Sequence, residues 1–83
     1  MQLLYFAWVR EAIGLGEEQL ELPAGVTTVA ALVDHLRARG GGYAQAFADP
    51  ARLRAAVDQD FVGLEASIVG AREVAIFPPV TGG

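Results

Sequence analysis

The sequence predicts a small α+β domain in which one mixed β-sheet of about five strands covers one main helix, with short extra helices and an extended C-terminal tail. Three observations support this prediction. Strongly apolar strand segments stand near both ends, one clear amphipathic helix lies between them, and the chain has only 83 residues. A chain of this length can just bury a core without disulfides or metals. We expect a single domain over residues 1–77 and a flexible tail over residues 78–83.

The first two strands are predicted from different patterns. Residues 2–9 are almost continuously apolar and rich in aromatic side chains, which is typical of a central strand covered on both faces. Residues 10–14 can then form one helical turn that ends at Gly14. Residues 17–22 alternate polar and apolar side chains and predict a half-buried strand. Because glycines separate the two strands, we expect them to form an antiparallel pair.

The clearest element is the amphipathic helix that follows a turn at Pro23 to Gly25. Thr27 or Thr28 can cap its first turn, because a threonine hydroxyl accepts a hydrogen bond from an otherwise unpaired N–H. Gly40 after the last turn is typical of a helix C-terminus. Apolar side chains recur at helical spacing and form one stripe for the core, which consists of Val29, Leu32, Val33 and Leu36.

The second half of the chain predicts one short helix and three strands. Three glycines at 40–42 are expected to form a flexible joint. The elements after it are a short helix over 43–48, a strand over 52–57, a turn at 58–60 with a return strand at 61–62, and a last strand over 73–77. Two prolines end the last strand, because they lack the N–H groups that a sheet needs. Since the first and last strands are both strongly apolar, we expect them to pair in parallel in the middle of the sheet.

Composition excludes several classes of function. The chain has no cysteine, which excludes disulfides, thiolate catalysis and cysteine-bound metals. One histidine (His35) and one serine (Ser67) leave too little material for a zinc site or a hydrolytic triad. The net charge is −4 and the arginines are scattered along the chain, so we expect no nucleic-acid partner. The longest apolar stretch is too short to span a bilayer, and a cytoplasmic location is expected.

The most informative segment is the C-terminal tail that follows Phe77. Pro78 and Pro79 favour an extended, polyproline-like direction, and residues 78–83 can reach about 20 Å when extended. Glycines at the end have no Cβ, so a terminal carboxylate can enter a channel that a branched residue could not pass. A carboxylate must be activated before transfer, and the chain has no P-loop, thiol or catalytic cluster for that chemistry. The sequence therefore predicts a carrier whose C-terminus is activated by partner enzymes.

Four segments of the chain resemble the MoaD family. They are Phe6 to Glu11 after the first strand, Thr28 to Leu32 at the start of the helix, Ala56 to Gln59 at the hairpin, and Glu73 to Gly83 at the end. The Phe-Pro-Pro-Val-Thr-Gly-Gly ending is the most specific part of the resemblance. This family is the small, sulfur-carrying subunit of molybdopterin synthase, so the resemblance implies a ubiquitin-like β-grasp fold.

The resemblance also implies a mechanism and a set of partners. A MoeB-like enzyme would use ATP to adenylate the carboxylate of Gly83, and a persulfide sulfur donor would convert the adenylate to a thiocarboxylate. The tail would then enter the active site of the large subunit, MoaE, and donate sulfur to cyclic pyranopterin monophosphate to form molybdopterin. The two proteins would form a heterotetramer with two of each subunit. The chain itself would be a non-catalytic subunit with no permanently bound cofactor and no metal.

Specific residues acquire roles from this resemblance. Gly83 would carry the chemistry and Gly82 would supply clearance. The side chains implied to contact partners are Phe77, Pro78, Pro79, Val80, Thr81, Phe61, Phe6 and Arg10. Phe6 and Phe61 could equally be core residues, and Arg10 could pair with an acidic neighbour, Glu11 or Glu73. Other titratable residues are given no role in this hypothesis, namely His35, Glu17, Glu18, Asp58 and Asp60.

Three alternatives stay open at this point. The chain could be a sulfur carrier of the same fold that serves thiamine synthesis (ThiS-like) or tRNA thiolation. It could be a ubiquitin-like protein modifier that is attached to lysines of its targets. It could also be a binding module with an inert tail. Removal of Gly83 separates the last alternative from the others, because an inert tail would tolerate the loss.

Overall fold

The structure is a computed structural model that describes residues 1–79. The predicted site residues Val80, Thr81, Gly82 and Gly83 lie outside the described residues. The elements in chain order are β1 (Gln2–Tyr5), α1 (Ala7–Ile13), β2 (Glu17–Gln19), α2 (Val29–Arg37), α3 (Gly41–Ala46), a 3-10 turn (Pro50–Arg52), β3 (Arg54–Val57), β4 (Asp60–Val62) and β5 (Glu73–Phe77). Within residues 1–79, no helix combines the length and apolar character that crossing a membrane requires.

The strands form one mixed sheet in the order β2-β1-β5-β3-β4. The first and last strands pair in parallel, with Leu3 beside Val74 and Tyr5 beside Ile76, as the apolar character of both strands predicts. The remaining pairs are antiparallel. This order places β5 in the centre, so the strand that leads into the tail is supported on both sides.

The main helix packs its predicted stripe against one face of the sheet. All four stripe residues are buried, and the Ala31 N–H donates to the Thr28 hydroxyl at 3.1 Å, which caps the first turn. Each fully buried aliphatic side chain contributes about 1.5–3 kcal/mol through removal from water. The core also contains Tyr5 of β1 and Phe47, whose ring centroids lie 6.4 Å apart.

The prediction of a strand through residues 6–9 is wrong. Strand β1 ends at Tyr5, and α1 begins at Ala7. The apolar run is continuous because it serves two elements in succession: Val9 is fully buried on α1, just as Leu3 is on β1. The chain changes direction at Ala7, which has a φ of +52°. The end of α1 at Gly14, with a φ of +89°, agrees with the prediction.

The predicted flexible joint at residues 40–42 is also wrong. Gly41 and Gly42 begin α3, and Gly42 lies against the backbone of α1. A Cβ at Gly42 would stand 2.1 Å from the carbonyl oxygen of Ala12, closer than any real contact of that kind. Glycine is therefore required here because two helices approach closely, a reason that leaves no periodic signal in the sequence.

Three strand boundaries differ from the prediction by a few residues. Strand β2 ends at Gln19, where the Leu20 N–H donates to the Met1 carbonyl and the ladder with β1 stops. Strand β3 begins at Arg54, because Pro50 starts a 3-10 turn that Asp49 caps. Strand β4 begins at Asp60.

Glu18, which was given no role from the sequence, has a structural role in the fold. Its carboxylate lies on the helix side of β2 and accepts hydrogen bonds from the hydroxyls of Tyr5 at 2.8 Å and Tyr43 at 2.5 Å. It also accepts from the Arg39 guanidinium at 2.9 Å. Burial raises the pKa of this carboxyl, but the hydrogen bonds from Tyr43, Arg39 and Tyr5 outweigh burial and hold its pKa below the usual 4.5. The Glu18 carboxylate thus links the edge strand β2 to α3 through hydrogen bonds.

This network predicts acid-sensitive stability. Because the pKa of Glu18 is lower in the folded protein than in the unfolded chain, its contribution is complete above the unfolded value and is lost as the pH falls through the folded pKa. We expect the melting temperature of the wild type to fall between about pH 6 and about pH 3 more steeply than that of Glu18→Gln. Thermal denaturation followed by circular dichroism measures the melting temperature of both proteins across this pH range. An equal dependence of the melting temperature on pH in the two proteins would contradict the role given to Glu18.

Candidate functional site

The sheet face opposite the helices, called the open face here, carries an apolar hollow. The strand register aligns four residues across its middle, because Leu4 lies beside Ala75, Ala75 beside Ala56, and Ala56 beside Phe61. Side chains at alternate positions of a strand share one face, so these four face away from the core. The two alanines form a low floor, and larger side chains stand around it.

The hollow has a volume of about 640 Å³ and is lined mainly by apolar side chains. It is lined by residues of five elements, which are β1, α1, β3, β4 and β5, and by the start of the tail. The lining residues are Leu4, Phe6, Ala7, Ala56, Gln59, Phe61, Glu73, Ala75, Phe77, Pro78 and Pro79. A concave apolar surface of this size on a small domain is typical of a protein-binding site.

Two aromatic side chains of the rim are exposed. Phe61 is 84% exposed and Phe6 is 47% exposed. The ring of Phe61 lies 5.8 Å from that of Phe77, tilted by 57°, so the two aromatics form one wall of the hollow. The structure thus places neither Phe6 nor Phe61 in the core.

The tail leaves the domain at the edge of the hollow. Strand β5 runs through the floor and ends at half-buried Phe77. Pro78 and Pro79 follow directly and line the same hollow. Proline has no N–H to donate to a neighbouring strand, which separates the tail from the sheet at this point. The predicted residues Phe6, Phe61, Phe77, Pro78 and Pro79 therefore meet in one place.

Arg10 lies beside this site and not in it. It is exposed on α1 and lines a separate shallow cleft with Ala7, Glu11 and Gly14. Its side chain covers Gly16, where a Cβ would stand 3.2 Å from the Arg10 Nε. Among residues 1–79 the ion pairs are Arg37–Asp34 and Arg39–Glu18, so neither pairing suggested for Arg10 forms there.

The described part of the chain contains no group of three ligating side chains that could hold a metal ion. The Asp58 carboxylate is hydrogen-bonded to the backbone, because its Oδ1 accepts from the N–H groups of Arg72 at 2.9 Å and Glu73 at 3.0 Å. It fixes the hairpin turn, at which both Asp58 and Gln59 have positive φ angles. The site offers an apolar surface beside a tail, which suits recognition by another protein.

Three lining residues of the hollow, Leu4, Ala56 and Ala75, were not predicted from the sequence. Alternation within a strand shows which residues of that strand share a face, as Ala75 and Phe77 do on β5. It does not show which strands are neighbours, and only the register brings them together. The alternation within β5, which places Ala75 on the same face as Phe77, was the one usable signal.

Comparisons with known proteins find relatives over the whole chain. The model of the ThiS family matches residues 3–83. The molybdopterin synthase sulfur carrier subunit of Escherichia coli (strain K12) is 41% identical over 83 residues, which covers 100% of this chain and 99% of that protein. The protein of the same name from Haemophilus influenzae is 37% identical with the same coverage.

Solved structures support the fold. SAMP1 from Haloferax volcanii superposes with a TM-score of 0.69 at 23% identity, covering 100% of this chain and 98% of that one. A Pyrococcus furiosus protein provisionally named molybdopterin converting factor, subunit 1, gives a TM-score of 0.69 at 26% identity, covering 95% of both chains. The architecture is the ubiquitin-like β-grasp that the resemblance implied. By sequence and by fold, the chain belongs to the ThiS family, together with full-length relatives that are sulfur carrier subunits of molybdopterin synthase.

Proposed function

We propose that this chain is the sulfur carrier subunit of molybdopterin synthase. The observation that carries the proposal is the position of the tail, whose first residues, Pro78 and Pro79, line an exposed apolar hollow. A partner that covers the hollow also receives the tail. The full-length similarity to two sulfur carrier subunits supports the same conclusion.

The partner that occupies the hollow during sulfur transfer is a MoaE-like large subunit. Burial of Phe6 and Phe61 gives this complex much of its affinity, because exposed aromatic side chains are the usual anchors of protein interfaces. The same contact directs the tail into the active site of the partner. Assembly as a heterotetramer with two of each subunit is part of the proposal.

The chemistry takes place at the carboxylate of Gly83. A MoeB-like enzyme transfers AMP from ATP to this carboxylate, and pyrophosphate leaves. The outer sulfur of a persulfide donor then attacks the adenylate, and AMP leaves. A second thiol of the donor system cleaves the resulting acyl disulfide, becomes part of a disulfide itself and releases the thiocarboxylate. The tail then donates this sulfur to cyclic pyranopterin monophosphate. Gly82 keeps the end of the tail narrow enough to reach both enzymes, because glycine has no Cβ.

Reconstitution tests the proposal against its alternatives. The thiocarboxylated chain is incubated with a MoaE-like subunit and cyclic pyranopterin monophosphate, and molybdopterin is measured by fluorescence of its oxidised derivative. Parallel reactions contain a thiamine-thiazole synthesis system, a tRNA-thiolation system or a lysine-containing acceptor protein. We expect product in the molybdopterin reaction and none with the chain lacking Gly83. Product only in another reaction, while the MoaE-like subunit is active with its own carrier, would contradict the proposal.

A further inference from the structure

The open face has opposite charges at its two ends, along the direction of β5. We propose that this polarity fixes the orientation in which the large subunit docks. The partner would present an acidic side chain opposite Arg54, at the tail end, and a basic side chain opposite Glu73, at the far end. The inference rests on the proposed function, since it concerns the partner that receives the tail.

The tail end of the open face is positive because of Arg54. This residue is the register partner of Phe77, the last residue of β5, and it is exposed. Its Nη1 donates to the carbonyl oxygens of Leu53 at 2.8 Å and Ala51 at 3.2 Å. These neutral acceptors lie at the 3-10 turn and the start of β3, and Arg54 lines a cleft there with Phe61 and Phe77. Within residues 1–79 no carboxylate forms an ion pair with it. Its charge is therefore available to a partner.

The far end is negative because of Glu73 and Asp58. Glu73 begins β5 and lines the hollow, with Gln2 as its neutral neighbour on β1. The Asp58 carboxylate lies next to it and accepts the Glu73 N–H. Arg72 precedes β5 and lines the adjoining cleft together with Asp58 and Glu73. This end therefore carries two carboxylates and one guanidinium, and its net charge is negative.

The two ends are far enough apart to act separately. Four residue steps from Glu73 to Phe77 along β5 correspond to about 13 Å, which exceeds the Debye length of about 8 Å at physiological salt. The floor between them is formed by Ala75 and Ala56. An apolar hollow alone would accept a partner in more than one orientation, because apolar contact has little directionality. Charges at the two ends of the open face favour one orientation and disfavour the reversed one.

A charge swap that leaves the net charge unchanged tests this inference. The variant Arg54→Glu with Glu73→Arg reverses the polarity of the open face. The matched control, Asp34→Arg with Arg37→Asp, performs the same exchange on α2, behind the sheet, where these residues form an exposed ion pair. Association with a MoaE-like large subunit is measured by stopped-flow fluorescence at low and high salt. A second variant, Arg54→Gln with Glu73→Gln, removes both charges in case the swap impairs folding.

We expect the swap to slow association about ten-fold at low salt, with a smaller effect at high salt. The neutral variant should give an intermediate rate, and the control should stay within about two-fold of the wild type. Equal rates for the swap and the control would overturn the inference and leave the proposed function intact. Failure of the wild type to bind the large subunit at all would overturn both.

Discussion

Phe61→Ala is expected to weaken binding to the large subunit about 30-fold or more and to leave the fold unchanged. Phe61 is 84% exposed, so the free protein loses little buried area when the ring is removed, and stability should change by no more than about 0.5 kcal/mol. In the complex the same ring, supported by Phe77 at 5.8 Å, would be covered by the partner. Loss of a buried aromatic anchor is among the most costly changes at an interface.

Isothermal titration calorimetry with the large subunit measures the affinity, and thermal denaturation measures stability. Val69→Ala is the matched control, because Val69 is also apolar and 72% exposed but does not line the hollow. This control should bind like the wild type. Equal affinities of Phe61→Ala and Val69→Ala would show that the hollow is not the docking surface.

Gly42→Ala is expected to destabilise the protein by about 1–3 kcal/mol, as overpacking of a close contact does. The added methyl group would stand 2.1 Å from the Ala12 carbonyl oxygen. That oxygen belongs to backbone, so the contact can be relieved only if α1 and α3 move apart. In an exposed helix the same substitution would stabilise, because alanine has the higher helix propensity. The sign of the effect therefore distinguishes a close contact from a flexible joint.

Urea denaturation measures this difference in the free energy of unfolding. Gly63→Ala is the matched control, since a Cβ at Gly63 would meet only the Glu65 Oε2, at an ordinary 3.6 Å. Its stability should stay close to that of the wild type. A Gly42→Ala protein as stable as this control would contradict the helix packing described here.

Local patterns were sufficient to predict most elements of the fold. The stripe of α2 and its cap at Thr28 follow from helical spacing, and all four stripe residues are buried. The pairing of β1 with β5 follows from the apolar character of both strands. The first error, a strand predicted too long, arose because one apolar run across Tyr5 and Val9 belongs to two successive elements. The second, a predicted flexible joint, arose because Gly42 is needed for close packing of two helices and not for flexibility.

The candidate site was predicted in part. The tail and the aromatics Phe6, Phe61 and Phe77 could be identified because the resemblance includes motifs around them. The alanine floor and the charges of Arg54 and Glu73 could not be predicted. Their positions on one face of the sheet depend on which strands are neighbours and on the register between them. Glu18 was missed for a similar reason, since its hydrogen-bond partners Tyr5 and Tyr43 come from distant parts of the chain.

The central claim is that the C-terminus of this chain carries sulfur, and one measurement tests it most directly. Intact-protein mass spectrometry is performed after incubation with ATP, a MoeB-like activating enzyme and a persulfide donor, with a chain lacking Gly83 as the control. We expect the full-length chain alone to gain the mass difference between one sulfur and one oxygen. If the activating enzyme modifies a known carrier but leaves the full-length chain unchanged, the claim is wrong.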